Sequence, residues 1–122
     1  MNTYKNRALP ARMGFALRGL AHALRSERSL RLQAGAFVLV LMALIVLHAR
    51  PVWWALVLLA SGAVLTAELL NTAVERLADE LHPQDSPGIG LVKDCAAAAV
   101  LVASLAAVAV AVAFVVQQLL VR

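Results

Sequence analysis

Three apolar runs dominate the chain after a basic start. They cover residues 32–47, 52–67 and 95–116, and only Gln33 interrupts the first. A helix needs about 20 residues to cross the hydrocarbon core of a bilayer. The third run is long enough by itself, whereas the first two have 16 residues each. The polar segments attached to these two runs are therefore expected to complete the spans.

Two connections with helix-breaking residues separate the runs. Residues 48–51 form a short turn that ends in Pro51, which suits the first position of the next helix. Residues 82–90 contain two prolines and two glycines and predict a longer loop. We expect membrane helices at about 27–47, 52–80 and 93–118, within one domain that covers residues 1–122.

A further helix is predicted ahead of the spans, at about residues 10–26. Apolar side chains recur at helical spacing on one side and basic side chains line another: Met13, Leu17, Leu20 and Leu24, against Arg18, His22 and Arg25. A basic amphipathic helix of this kind lies in the headgroup layer of a membrane.

The composition supports an integral membrane protein. The chain is 62% hydrophobic and 15% charged, with a mean hydropathy of +0.82. A soluble domain is about one quarter charged. The single cysteine, Cys95, cannot form a disulfide framework. The expected fold is all-α, with three transmembrane helices and an N-terminal amphipathic surface helix.

The charge distribution predicts a membrane surface as partner and an orientation in the bilayer. The net charge of +4 would also fit nucleic acid, but seven of the 11 basic residues fall within the first 31 positions. That pattern favours an anionic membrane surface over nucleic acid. Nine Lys and Arg lie in the N-terminal segment or beside the second loop, against two on the other side. The N-terminus and the second loop are therefore expected to face the cytoplasm.

Acidic side chains share one face of the second span where it leaves the membrane. At about 100° per residue, Glu68, Asn71, Thr72, Glu75 and Asp79 fall within an arc of about 100°. A charge at membrane depth costs a few kcal/mol and normally faces a partner, a cavity or a metal. Three neighbouring acids also repel one another, and a divalent cation is the usual relief. The alternative is the solvated end of a helix.

Further charged residues lie on the same side of the membrane. Glu27 and Arg31 begin the first span one helical turn apart, and Lys93 and Asp94 begin the third. The carboxylates could bind Mg²⁺, the cations could bind phosphates, and one acid lies at lipid depth. This combination indicates phosphoryl transfer to a lipid alcohol. The sequence has no Walker A or protein-kinase motif, so any nucleotide must be held differently.

These residues resemble a known family. Residues 68–79 are similar to the signature of the prokaryotic diacylglycerol kinase and undecaprenol kinase family. Residues 92–94, followed by 98–101, resemble its second block, and residues 26–31 resemble its entry to the first span. The resemblance covers residues 12–116, which is nearly the whole chain.

The resemblance implies roles for individual residues. Glu68 would be the general base toward the lipid hydroxyl, and Glu27 and Glu75 would hold the Mg²⁺ that bridges the phosphates of ATP. The ATP subsite would also include Phe15, Asn71, Asp79, Lys93 and Asp94, and the lipid would contact Arg12, Leu30, Arg31 and Gln33 beside Glu68. Family members are homotrimers in the bacterial cytoplasmic membrane, with active sites between subunits.

The sequence leaves the lipid substrate open. Diacylglycerol, giving phosphatidic acid, is the first expectation, and undecaprenol, giving undecaprenyl phosphate, is the alternative. Gln33 stands where the diacylglycerol branch commonly has a second acid, and residues 27–31 are closer to the undecaprenol branch. Asp85 and Ser86 replace a Tyr-His pair that is frequent in the family. A non-catalytic small membrane protein is the alternative from another functional class.

Overall fold

A computed structural model describes residues 6–121, in which all regular secondary structure is α-helical. The helices are α1 (Leu9–Ser26), α2 (Arg28–Val46), α3 (Pro51–Leu81) and α4 (Pro87–Leu120). The last three are long and apolar enough to cross a membrane. This confirms the all-helical fold with three candidate spans. Lys5 and Arg122, which enter the charge count, lie outside the described residues.

The junction between α1 and α2 is a single extended residue, Glu27, with φ −102° and ψ 115°. The sequence predicted a span beginning at Glu27, whereas α2 begins at Arg28. The Arg31 Nη1 atom donates hydrogen bonds to the carbonyl oxygens of Leu24 at 3.1 Å and Arg25 at 2.8 Å. Because the last carbonyls of a helix lack partners within it, Arg31 caps the end of α1.

The connection between α2 and α3 is the tight turn that the sequence predicts. His48 has a left-handed φ of 49°. The Ala49 N–H bonds the Leu44 carbonyl at 2.9 Å, and the His48 N–H bonds the Ile45 carbonyl at 3.1 Å. These two bonds form a Schellman cap, and Pro51 then starts α3 at its first position.

The loop between α3 and α4 is shorter than the sequence predicted. The expected loop ran to residue 90, but α4 already begins at Pro87. The Ser86 hydroxyl accepts a hydrogen bond from the Ile89 N–H at 3.3 Å. A serine cap followed by proline is a strong helix start, and it outweighs the low helix propensity of Gly88 and Gly90. The loop prediction was therefore wrong for residues 87–90.

The end of the bundle farthest from the acidic residues has an apolar core. Leu44, Val57 and Phe114 are buried together, with one residue from each long helix. The rings of Trp53 and Phe114 meet edge to face with centroids 5.3 Å apart. Most other apolar side chains of these helices are exposed, as expected for surfaces that face hydrocarbon.

The length of α3 places its acidic residues at different depths. Fifteen residues separate Trp53 from Glu68, which is about 22 Å at about 1.5 Å per residue. The hydrocarbon core is about 30 Å thick, and tryptophan prefers its interface. Measured from Trp53, Glu68 therefore lies within the core thickness. Asp79, about 39 Å from Trp53, lies beyond it.

We expect Leu44→Ala to lower the free energy of unfolding by about 2 kcal/mol, the lower end of the range for buried leucines. Leu44 is fully buried, so its truncation leaves a cavity. Lipid is as apolar as the core, so only the lost packing contributes. Unfolding of purified protein in mixed detergent micelles measures the change. The control is Leu39→Ala on the same helix, which is 68% exposed and should change stability by less than about 1 kcal/mol. Equal losses in both variants would contradict the assigned core.

Candidate functional site

Glu68 is a buried carboxylate held between α2 and α3. It is 5% exposed. The Ser29 hydroxyl donates to its Oε2 at 3.3 Å, and the Gln33 amide nitrogen donates to its Oε1. Ser29 and Gln33 lie one turn apart on α2 and therefore face the same way. A buried charge is costly unless it is hydrogen-bonded, and α2 supplies one donor for each oxygen.

Glu75 lies two turns further along α3 and has a different partner. The Asn71 amide nitrogen donates to Glu75 Oε1 at 3.1 Å. The Asn71 side-chain oxygen is buried and has no hydrogen-bond partner within residues 6–121. The family resemblance placed Asn71 in the ATP subsite. In the structure its contact is with Glu75, and its open acceptor remains available for another group.

Glu27 is paired with Arg76 of α3. The Arg76 Nη2 atom donates to Glu27 Oε1 at 3.3 Å. The same guanidinium contacts Ser26 and His22. In the sequence, Arg76 stands out only as one of the basic residues beside the second loop. At about 100° per residue, Arg76 lies about 40° beyond the edge of the acidic face. This closeness is the feature of the sequence that could have indicated Arg76 as a site residue. The partner on α1 could not be read from that spacing.

A third acidic residue of α3 connects it to α4. Lys93 and Asp79 form an ion pair, with side chains 34% and 66% exposed. Such an exposed pair contributes little to stability. The neighbouring Asp94 is exposed, and no hydrogen bond or ion pair joins its side chain to another residue of the described chain. Lys93 is therefore a partly exposed cation beside the acidic end of α3.

The remaining predicted site residues lie on α1 and at the start of α2. Arg12 is exposed on α1, and Phe15 lies 4.8 Å from the Arg18 guanidinium in a cation–π contact. Leu30 is 1% exposed and packs inside the bundle. Arg31 is exposed and caps α1. Their predicted contacts with ATP or lipid stay predictions.

The acidic face has several separate partners rather than one shared cluster. Within residues 6–121, no three His, Cys, Asp or Glu side chains stand together as a metal site. Hydroxyl, amide, arginine and lysine groups instead satisfy the individual acids. Mg²⁺ is nevertheless commonly bound by one or two carboxylates together with water and substrate phosphates. Glu27 and Glu75 each have one carboxylate oxygen that accepts no hydrogen bond from residues 6–121, so each side chain suits such a ligand.

An apolar groove of about 330 Å³ runs between α2, α3 and α4. Gln33, which donates to Glu68, lies at one end of this groove. The other lining residues are almost all apolar and include Phe37, Val40, Val57, Val64 and Val110. The buried carboxylate is thus next to a surface that suits a hydrocarbon chain.

Comparison with known proteins supports the resemblance. The family model described as prokaryotic diacylglycerol kinase matches residues 14–115. The chain is 37% identical over 97 residues to a protein of Synechocystis named diacylglycerol kinase, covering 79% of this chain and 55% of that relative. It is 33% identical over 85 residues to a protein of Bacillus subtilis named undecaprenol kinase, covering 70% of this chain and 69% of that relative. The chain thus spans little more than half of the first relative.

We expect Gln33→Leu to lower the free energy of unfolding by about 1–3 kcal/mol, because it removes a donor from a buried carboxylate. In the Glu68→Leu background, the same substitution should cost much less. A double-mutant cycle measured by unfolding in mixed micelles gives the coupling between the two side chains. Gln118→Leu is the matched control, since Gln118 is half-buried on α4 and its side chain makes no hydrogen bond to the described residues. An unchanged cost of Gln33→Leu in the Glu68→Leu background would contradict the contact.

Proposed function

The chain belongs to the prokaryotic diacylglycerol kinase family, and we propose that it is a lipid kinase that transfers the γ-phosphate of ATP to a membrane lipid alcohol. The observation that carries this proposal is the position of Glu68. Its carboxylate is buried at membrane depth, oriented by two donors and adjacent to an apolar groove. Such a group can meet a hydroxyl whose hydrocarbon tail stays in lipid.

Glu68 is the proposed general base. Each of its oxygens accepts one hydrogen bond from α2, so each retains a lone pair for the lipid hydroxyl. The hydroxyl proton passes to Glu68 as the hydroxyl oxygen bonds to the γ-phosphorus. The bond from that phosphorus to the β–γ bridging oxygen breaks, and ADP leaves. Ser29 and Gln33 keep the carboxylate aimed throughout.

Glu27 and Glu75 are the proposed Mg²⁺ ligands, and the bound ion would neutralise charge on the transferring phosphates. Among the described residues, each glutamate has one oxygen held by a donor and one oxygen open. Lys93 can turn from Asp79 to a phosphate oxygen, because both side chains are partly exposed. Phe15, Asn71, Asp79 and Asp94 complete the proposed ATP subsite.

Diacylglycerol is the first proposed substrate. In this proposal, its glycerol hydroxyl meets Glu68, and an acyl chain lies along the groove that begins at Gln33. Leu30, Arg31 and Arg12 contact the lipid where it enters. Undecaprenol is the second candidate, favoured by residues 27–31 and by the relative from Bacillus subtilis. Both lipids present a hydroxyl on an apolar tail, so the same chemistry serves either.

The proposed assembly is a homotrimer in the bacterial cytoplasmic membrane. Many large apolar side chains on the long helices are exposed, which leaves surface for other subunits as well as for lipid. If the active sites lie between subunits, a neighbouring subunit would cover the part of the acidic face that one protomer leaves exposed. The excess of Lys and Arg in the N-terminal segment and beside the α3–α4 loop supports a cytoplasmic position for both.

We expect Glu68→Gln to lower turnover by at least ~10²-fold while ATP still binds, because the amide keeps the size of the side chain but cannot accept the proton. Purified protein in mixed micelles is given labelled ATP, Mg²⁺ and either diacylglycerol or undecaprenol, and the labelled lipid is identified. Glu80→Gln is the control, since Glu80 is an exposed acid on the same helix.

Three outcomes of this assay would change the proposal. Turnover of Glu68→Gln equal to the parent would remove Glu68 from the mechanism. If undecaprenol is labelled in preference to diacylglycerol, undecaprenol becomes the proposed substrate. If the parent labels neither lipid, the kinase assignment fails and a non-catalytic membrane role takes its place.

A further inference from the structure

Arg76 connects α3 to the junction between α1 and α2 through three acceptors. Its Nη1 atom lies 2.8 Å from His22 Nε2. Its Nη2 atom donates to Ser26 Oγ at 2.8 Å and to Glu27 Oε1 at 3.3 Å. Arginine has only donors, so the His22 contact is a hydrogen bond when Nε2 is the unprotonated ring nitrogen. One guanidinium therefore holds the last turn of α1 and the following residue together.

The contact with Arg76 matters because of where Glu27 lies in the chain. Glu27 is the single non-helical residue between α1 and α2. Its N–H bonds the Ala23 carbonyl at 2.8 Å and its carbonyl accepts from the Arg31 N–H at 3.3 Å, so the helices hold its backbone and leave the direction of its side chain to other contacts. Arg76 occupies Glu27 Oε1, which also lies 3.4 Å from Ser26 Oγ. No partner within residues 6–121 contacts Oε2. The contact therefore orients the carboxylate and leaves one of its oxygens open.

We propose that Arg76 is a positioning residue that fixes Glu27 relative to Glu75 before Mg²⁺·ATP binds. This inference rests on the proposed function, in which Glu27 and Glu75 hold the metal. Arg76 follows Glu75 directly on α3 and reaches across to Glu27. It therefore ties one metal ligand to the turn that carries the other. Hydrogen-bonded partners of metal ligands commonly change metal affinity or activity by 10- to 100-fold when they are removed.

A purely structural ion pair would have a different signature. The Arg76 and Glu27 side chains are 49% and 29% exposed, and such pairs contribute little to folding. The effect of Arg76 should therefore appear in metal–nucleotide affinity and in the order of α1. Lysine can reach one acceptor but cannot reproduce the planar fork that serves three. A graded effect in the order Arg, Lys, Gln is thus expected.

The experiment compares Arg76→Gln, Arg76→Lys and the control Arg28→Gln in the full chain. Arg28 is exposed next to Glu27 and its side chain makes no hydrogen bond or ion pair with the described residues, so its variant removes the same local charge. Electron paramagnetic resonance measures the Kd of Mn²⁺ with a non-hydrolysable ATP analogue. A spin label on Ala16→Cys, in a Cys95→Ala background, reports the mobility of α1. Steady-state assays give KM for Mg²⁺·ATP and kcat.

We expect Arg76→Gln to raise the Mn²⁺–nucleotide Kd and the KM by about 10-fold, with a smaller change in kcat and a more mobile label on α1. Arg76→Lys should be intermediate, and Arg28→Gln should stay within about twofold of the parent. Binding by Arg76→Gln equal to the parent would overturn the inference while the kinase assignment stands. Equal losses in Arg76→Gln and Arg28→Gln would also overturn it, because local charge alone would then explain them. A parent that neither binds Mn²⁺–nucleotide nor transfers phosphate would refute the proposed function and this inference with it.

Discussion

The structure depends on keeping one carboxylate hydrogen-bonded at membrane depth. Glu68 is surrounded by apolar helices, where an unpaired charge would be too costly to retain. Its two oxygens are satisfied from α2, by Ser29 and Gln33. This requirement fixes the rotation of α2 against α3, because a rotation of α2 would carry both donors away together. The apolar groove that begins at Gln33 follows from the same pairing.

Toward its C-terminal end, α3 serves as the scaffold for the other helices. Glu68 connects it to α2, Arg76 to α1 and Asp79 to α4. At the opposite end of the bundle the connections are apolar, through Val57 and its neighbours in the core. A membrane protein gains little from burying apolar surface that lipid would otherwise cover. The helices are therefore held together by specific polar contacts at one end and by close packing of side chains at the other. The residues available for chemistry therefore lie at the polar end.

The features of the fold that depend on local sequence pattern could be predicted from the sequence. The three spans and the start of α3 at Pro51 follow from apolar periodicity and from the preference of proline for a first helical position. The predicted loop before α4 is too long because Gly88 and Gly90 disfavour a helix locally, whereas the Ser86 cap starts α4 ahead of them. The acidic face was predictable from spacing alone, but its partners were not. Which side chain meets Arg76 is decided by the packing of α1 on α3, and helical periodicity carries no information about that contact.

Gln33 shows how one neutral side chain changes the chemistry available to Glu68. A carboxylate at position 33 would repel Glu68 or would have to share a proton with it. The amide instead donates a hydrogen bond and leaves Glu68 as the acceptor of the pair. It also keeps the mouth of the apolar groove free of a second charge, which would itself need a partner at that depth. The proposed base and the apolar groove beside it are therefore compatible within one chain because the residue between them is polar but uncharged.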